Sequence, residues 1–320
     1  MLMGTLYPAV IKPKGYPAGQ FRQATVHLCI DSAPSGYFNP FHFSTTMTDL
    51  VVRRLLIDLE TPFAARWNGG DAFRSAFFNA LSMSFPVGEQ YFIDSVREGL
   101  KNLPAEQQAH MAAEVKGFIG QEATHRRIHE LFNKHLTDMG FENRFAERSI
   151  RRMKQQAHMN VRMHLAVTAA TEHFTAIFAD WMLHHPEALA GAEPRLQTLW
   201  LWHSAEESEH RCTAFDMYQA LGGDHKRRVT VFRVVTVIFL SDVLRQTVRN
   251  LWHDGSLFQL QTWRSAARML FAKDGMLRSN VGLWRDYLRE DFHPSQHEAP
   301  LSQAWLHNNT AQYSVVGQPA

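Results

Sequence analysis

The chain is poor in cysteine. Its 320 residues hold two, Cys29 and Cys212. That is too few for a disulfide framework, and it fits a reducing compartment. Surplus charge is missing as well: 33 basic and 31 acidic side chains leave a formal +2. Such a balance calls for neither nucleic acid nor an acidic partner. No apolar run is long and charge-free enough for a membrane span of roughly 20 residues. The greasiest stretch, VTVFRVVTVIFLSDVLRQTVRNLW, carries Arg233, Asp242, Arg245 and Arg249. The opening residues, MLMGTLYPAVIKPKGYPAG, place Pro and Lys where a signal peptide needs an unbroken apolar core. A cytoplasmic location is therefore expected, with peripheral membrane association through residues 229–252 as an addition. There is no Gly-rich phosphate loop, no Ser nucleophile elbow, no repeat and no low-complexity tract.

Apolar side chains and histidine are plentiful. The former make up 45% of the chain, enough for a sizeable core, and there are 18 histidines. Residues 1–45, rich in Pro, Gly and Ser, read as an irregular N-terminal arm with a strand pair. The run TTMTDLVVRRLLIDLE predicts a first helix. Four longer helical stretches follow, over 71–100, 104–138, 143–184 and 194–221. Pro86 is expected to kink or split the first of these, Pro104 to open the second, and Gly222-Gly223 to stop the fourth. The expected architecture is all-α: a four-helix bundle over 71–222 within a helical domain spanning 46–290, extra helices over 225–290, and a loose tail over 291–320. The helix predicted over 229–252 either packs against the bundle or forms an apolar lid that touches a membrane. The basic stretch Arg144, Arg148, Arg151, Arg152 and Lys154 reads as a solvated face, with docking of an acidic electron-donor protein or of a membrane surface as the sharper alternatives. A homodimer is compatible with the sequence.

Within the four stretches stand a lone Glu89, then Glu122-x-x-His125, a lone Glu172, and Glu207-x-x-His210. Side chains three or four apart share one face of a helix, so each Glu/His pair can address one ion. One carboxylate from each of two helices and a Glu-x-x-His from each of the other two is the order a bundle needs for two ions. With 18 histidines in 320 residues, a single Glu-x-x-His arises by chance about once in 18 glutamates. Two pairs alternating with two lone glutamates do not arise so easily. The lone glutamates also lie in apolar surroundings, SMSFPVGEQYF and AVTAATEHFTAIFA, where an unpaired charge would be costly. The plain alternative is surface charge or buried Glu–His pairs. His203, four residues before Glu207, extends the last element to His203-x-x-x-Glu207-x-x-His210. Glu206, His129 and Asp216 are candidates for supporting the ligands from behind, Glu206 also competes with Glu207 as a ligand, and Glu209 is expected to face outward. His173 should point away from Glu172. Carboxylate and imidazole donors with open positions suit iron, with manganese or zinc as alternatives.

At LSMSFPVGEQYF, FIGQEATHRRIHE, TAATEHFTA, WHSAEESEHRCTAFDMY and YLREDFHPSQHE the chain resembles a bacterial family of predicted metal-dependent hydrolases. The strings span about residues 45–297. Glu290-Asp291 depart from the Pro-Gly type of turn expected after YLR, which touches a loop and not the ligand set. The ligand order is also similar to that of ferritin-like di-iron oxygenases, and its extra histidine to the arylamine N-oxygenase type. This second resemblance implies a first shell of Glu89, Glu122, His125, Glu172, His203, Glu207 and His210. The main expectation is a di-iron oxidase or oxygenase that uses O2 on a small apolar or aromatic substrate. Phe85, Phe92, Phe118, Phe174 and Trp202 would line its site. The alternatives are a binuclear metal-dependent hydrolase and a non-enzymatic iron- or oxygen-binding protein.

Overall fold

The computed structural model describes residues 50–318, all in one compact unit. The arm expected over 1–45, with Cys29, lies outside the described residues. The fold is all-α. Its helices are α1 (Ala72–Asn102), α2 (Ala105–Asp138), α3 (Arg144–Gln156), α4 (Val161–His184), α5 (Pro194–Glu207), α6 (Thr213–Ala220), α7 (His225–His253), α8 (Leu260–Phe271), α9 (Met276–Ser279), α10 (Val281–Asp286) and α11 (Pro300–Asn308). Two three-residue strands, β1 (Arg53–Leu55) and β2 (Tyr313–Val315), pair antiparallel.

Local chemistry explains most boundaries. Asp71, Asn143, Asn160 and Asp224 each accept a hydrogen bond from the backbone N–H three residues on, capping α1, α3, α4 and α7. Gly140, at φ +85°, follows the end of α2, and Gly222, at φ +75°, follows the end of α6.

Four expectations need correcting. The helix predicted over 45–60 is extended where it is described. From Arg53 to Leu59, Arg53, Leu55 and Leu59 are buried and Ile57 partly so, while Arg54, Leu56 and Asp58 are exposed, which is a period of two and not of 3.6. Strand β1 pairs Arg53 with Val315 and Leu55 with Tyr313. The loose tail expected over 291–320 carries α11 and β2 in its described part, and Val316 N donates to Val52 O at 2.9 Å. The helix predicted over 143–184 is two helices, because the Asn160 side chain caps a new start instead of continuing α3. The helix predicted over 194–221 is also two, broken between Glu207 and Thr213.

Pro86 does not split α1. A proline inside a helix withholds its N–H from the carbonyl four residues earlier, here Ser82. That oxygen instead accepts from Asn133 Nδ2 on α2 at 2.8 Å.

The core has two apolar clusters. One gathers Phe78, Leu81, Phe132, Trp200 and Trp202, the other Phe92, Phe118, Leu165, Phe174 and Phe215. Along α1 the boundary falls between Phe85 and Phe92, and along α2 between Phe118 and Ile128. Glu89, Glu122 and His125 sit at that boundary. Helix α7 packs on α1, α3 and α4. No helix among the described residues is long and apolar enough to cross a membrane. Part of the basic stretch is engaged within the fold: Arg148 and Arg152 both pair with the buried Asp242 of α7, and Arg144 pairs with Glu142 and Glu147.

Candidate metal centre

Glu89 projects from α1, Glu122, His125 and His129 from α2, Glu172 from α4, and His203, Glu206 and Glu207 from α5. His210 lies between α5 and α6. There the chain turns on i→i+3 bonds, Glu209 N to Glu206 O at 2.9 Å and Thr213 N to His210 O at 3.1 Å. This tighter winding sends the Glu209 carboxylate toward α2 and β1, while His210 faces Glu122 and Glu172. All nine of these site residues are buried.

The side chains form two neighbouring groups. Glu122, His125, Glu207 and His210 each offer one ligand atom, all within 4.8 Å of one another; Glu89, His129 and His203 do the same. His125 Nδ1 is 3.6 Å from Glu207 Oε1, His210 Nε2 is 3.5 Å from Glu122 Oε1, and His203 Nε2 is 4.0 Å from Glu89 Oε1. Glu172 belongs to neither group; its Oε2 lies 2.9 Å from His210 Nδ1. His173 points away, as expected, with Nε2 3.0 Å from Leu283 O.

Unpaired buried atoms mark both groups. Neither oxygen of Glu89 nor of Glu122 has a hydrogen-bond partner among the described residues. The same holds for Glu172 Oε1, Glu207 Oε2, His125 Nδ1 and His210 Nε2. Stranding so many acceptors away from water would be expensive, and a cation is the partner that satisfies all of them. The donor set therefore fits metal.

The acidities carry the same signature. Burial, with the negative charges of Glu207 and Glu172, pushes the Glu89 carboxyl well above the usual carboxylate range. Burial and the same two neighbours do so for Glu122. Burial raises Glu206 to about 8 against the pull of Arg53, and Glu172 to about 7 against that of His210. Glu207 goes the other way: burial would raise it, but the hydrogen bond and charge of His203 hold it well below the usual range. Burial would lower His210, yet Glu172 and its fellow carboxylates raise it to about 9. Burial and the neighbouring His203 keep His125 and His129 neutral.

The backing of the histidines is specific. His125 Nε2 lies 2.9 Å from Glu206 Oε2, and Glu206 Oε1 accepts from Arg53 Nη1 at 3.0 Å. Glu206 thus supports His125 and not His210, the partner its i, i+4 spacing suggested. On the other side, Ser82 Oγ donates to Asn133 Oδ1 at 2.8 Å, so it must accept from His129 Nδ1, also at 2.8 Å. His129 is neutral, so its Nε2 accepts from His203 Nδ1 at 2.7 Å. The relay leaves His203 Nε2 as the atom that faces Glu207 Oε1, 2.6 Å away. His129 is placed to orient His203.

Two expectations fail here. Asp216 supports no residue of either group; its Oδ1 lies 2.6 Å from His293 Nε2. Glu209 does not face outward but accepts from Arg53 at 2.7 Å and from Gln121 Nε2 at 2.7 Å. Arg53 itself was missed, because the run that holds it reads as a first helix outside the four that carry the ligands. Ser82 and Asn133 were missed too, although Pro86 marks the carbonyl that needs a partner four residues back. Cys212 belongs to neither group, and burial pushes its thiol up to about 12.

No curated protein matches the chain, and no solved structure does. A family model described as predicted metal-dependent hydrolase matches residues 51–298. The match reaches from β1 to the loop before α11 and takes in every residue of both groups, so the chain belongs to the predicted metal-dependent hydrolase family.

Proposed function

We propose that this protein is a hydrolase built on a binuclear carboxylate–histidine centre. Glu122, His125 and His210 would hold one ion, Glu89 and His203 the other, and Glu207, which faces histidines of both groups, would join them. Glu172 orients His210, and Glu206 orients His125. The single observation that carries this reading is the set of buried, unpartnered donor atoms, at least one from each of α1, α2, α4, α5 and the turn after it. Bound metal lowers the pKa of water toward neutrality and polarises a carbonyl or phosphoryl oxygen. The family supports hydrolysis over oxidation.

The chain's own contribution is positional. The two clusters of apolar residues exclude water from the site. The Asn133–Ser82–His129 relay keeps Nε2 of His203 aimed inward, and Arg53 holds Glu206 against His125. The carboxyls with raised pKa, Glu89 and Glu122, retain protons until a cation displaces them.

One observation favours a second reading, the O2-dependent oxidation of an organic substrate. The donors are carboxylates and imidazoles with no thiolate among them, a set that suits redox-active iron. A single experiment separates the two. The purified protein is stripped, reloaded with Zn(II), Mn(II) or Fe(II), and assayed on carboxylic and phosphoric esters and for O2 uptake. Ester turnover that returns with metal and needs no O2 supports hydrolysis. O2 uptake confined to the iron form, with no ester turnover, overturns it.

A further inference from the structure

A cavity of about 330 Å3 lies among α1, α3, α4 and α7, within the usual size range of small-molecule sites, roughly 300–1,000 Å3. Its wall on α4 is the stripe Met163, Val167, Thr171 and Thr175. At a rise of about 1.5 Å per residue, the twelve steps of that stripe run roughly 18 Å, so this wall is long enough for an extended chain. The opposite wall on α7 includes Val235 and Phe239. Val234, also on the lining, is 53% exposed and marks the rim.

Among the described residues, Glu89 is the only carboxylate on this lining and Arg152 the only cation. Glu89 is 2% exposed, and both of its oxygens lack a partner among the described residues. Arg152 is already engaged with the buried Asp242. A second cavity of about 40 Å3 shares Phe85, Thr175 and Phe239 with the first and is lined by His203 and Glu207. An apolar passage therefore runs from the α7 rim to one carboxylate, with histidine and glutamate of the centre just beyond.

We infer that this passage is the substrate site and that it takes an unbranched, hydrocarbon-rich molecule of the fatty-acyl or alkyl class. The reactive end lies at Glu89 and the chain runs along α4 toward Val234. A ridge of methionine and valine side chains and threonine methyl groups supplies apolar contact along its length, the Thr171 and Thr175 hydroxyls being engaged by carbonyls of their own helix. The exposed apolar residue Val234 of α7, on the lining, is then the entrance. The choice of which end reacts rests on the metal-centre reading; the binding of the chain does not.

The test uses the full-length protein with and without metal. Dansyl-undecanoate is titrated by fluorescence and competed with neutral dodecanol. Val167→Phe and Thr171→Phe grow into the passage, and Val234→Trp covers the rim without touching the core. Binding should weaken about tenfold or more in each, with metal content unchanged. His210→Ala should lose about one ion yet keep the probe. The inference is overturned if the protein binds no probe, or if variants that melt like the parent bind it undiminished. Loss of metal in His210→Ala without change in probe affinity leaves the two readings separable, because a failure of the centre then shows only in metal content.

Discussion

Asn133 Nδ2 lies 2.8 Å from the carbonyl oxygen of Ser82, the acceptor on α1 that Pro86 deprives of its helical N–H. The same pair is joined again, Ser82 Oγ to Asn133 Oδ1 at 2.8 Å. A backbone defect on one helix is thereby repaired by a side chain on the next, and the repair sets the proton order of His129 and His203. Asn133→Leu should cost about 1–3 kcal/mol, the penalty for a buried acceptor without a partner. Pro86→Ala, which restores the N–H, should recover part of that loss in the double variant. Urea unfolding of the four proteins checks this; strictly additive effects would refute the repair.

Metal content should fall by cluster. Glu122→Ala and His210→Ala strip one group, and Glu89→Ala strips the other, so each variant is expected to retain about one ion. Elemental analysis of the purified proteins decides it. Two ions retained in all three variants would dismiss the assignment.

Arg53 is predicted to matter twice. It is 8% exposed and bridges Glu206 and Glu209. Removing one partner of a buried ionic network typically costs about 3–5 kcal/mol. Losing a residue that supports a ligand typically costs about 10–100-fold in metal affinity. Arg53→Met should show both, by urea unfolding and by competition with a chelator. Arg53→Lys should recover little, because one ammonium cannot reproduce the fork to two carboxylates. Unchanged metal affinity in Arg53→Met would separate β1 from the site.

The metal-free protein should lose stability as pH rises from about 6.5 to 9. Glu172 and Glu206, at about 7 and 8 in the fold against 4.5 unfolded, hold protons that the unfolded chain has already released. His210, at about 9 against 6.5, acts in the same sense. A raised folded pKa contributes stability that disappears as pH climbs through it. His125 and His129, depressed below 6.5, contribute in the opposite sense, but only below that value. Glu207 is depressed below 4.5 and acts lower still. Bound metal replaces these protons, so the gain in Tm on adding metal should be largest near pH 9. Thermal melts across the range, with and without metal, test it; a metal-free Tm that rises from pH 6.5 to 9 would contradict it.

Much of the site was legible because ligand chemistry constrains residue type. A carboxylate inside AVTAATEHFTAIFA must find a cation or a proton, wherever the helix packs, and Glu172 accordingly meets His210. Helix ends were legible where Asp71, Asn143 or Gly140 acts locally. What escaped the reading were partners brought from far along the chain. Arg53 reaches Glu206 across 153 residues, and no spacing records that distance. The break after Glu207 was hidden for a related reason. AEESEHRCTAF has helical composition throughout, but Glu209 and His210 are needed in two directions at once, by Arg53 and by Glu172.

The sequence alone determined the residue types and their order: two Glu/His pairs, two lone glutamates and one extra histidine, on helices with apolar faces. These follow from periodicity and from the cost of burying charge, both properties of neighbouring residues. The tertiary structure decided how they divide into two groups, that Glu206 backs His125 while Glu172 backs His210, and that β1 closes the site through Arg53. Those outcomes depend on the relative rotation of helices packed around two apolar clusters, which no local interaction sets.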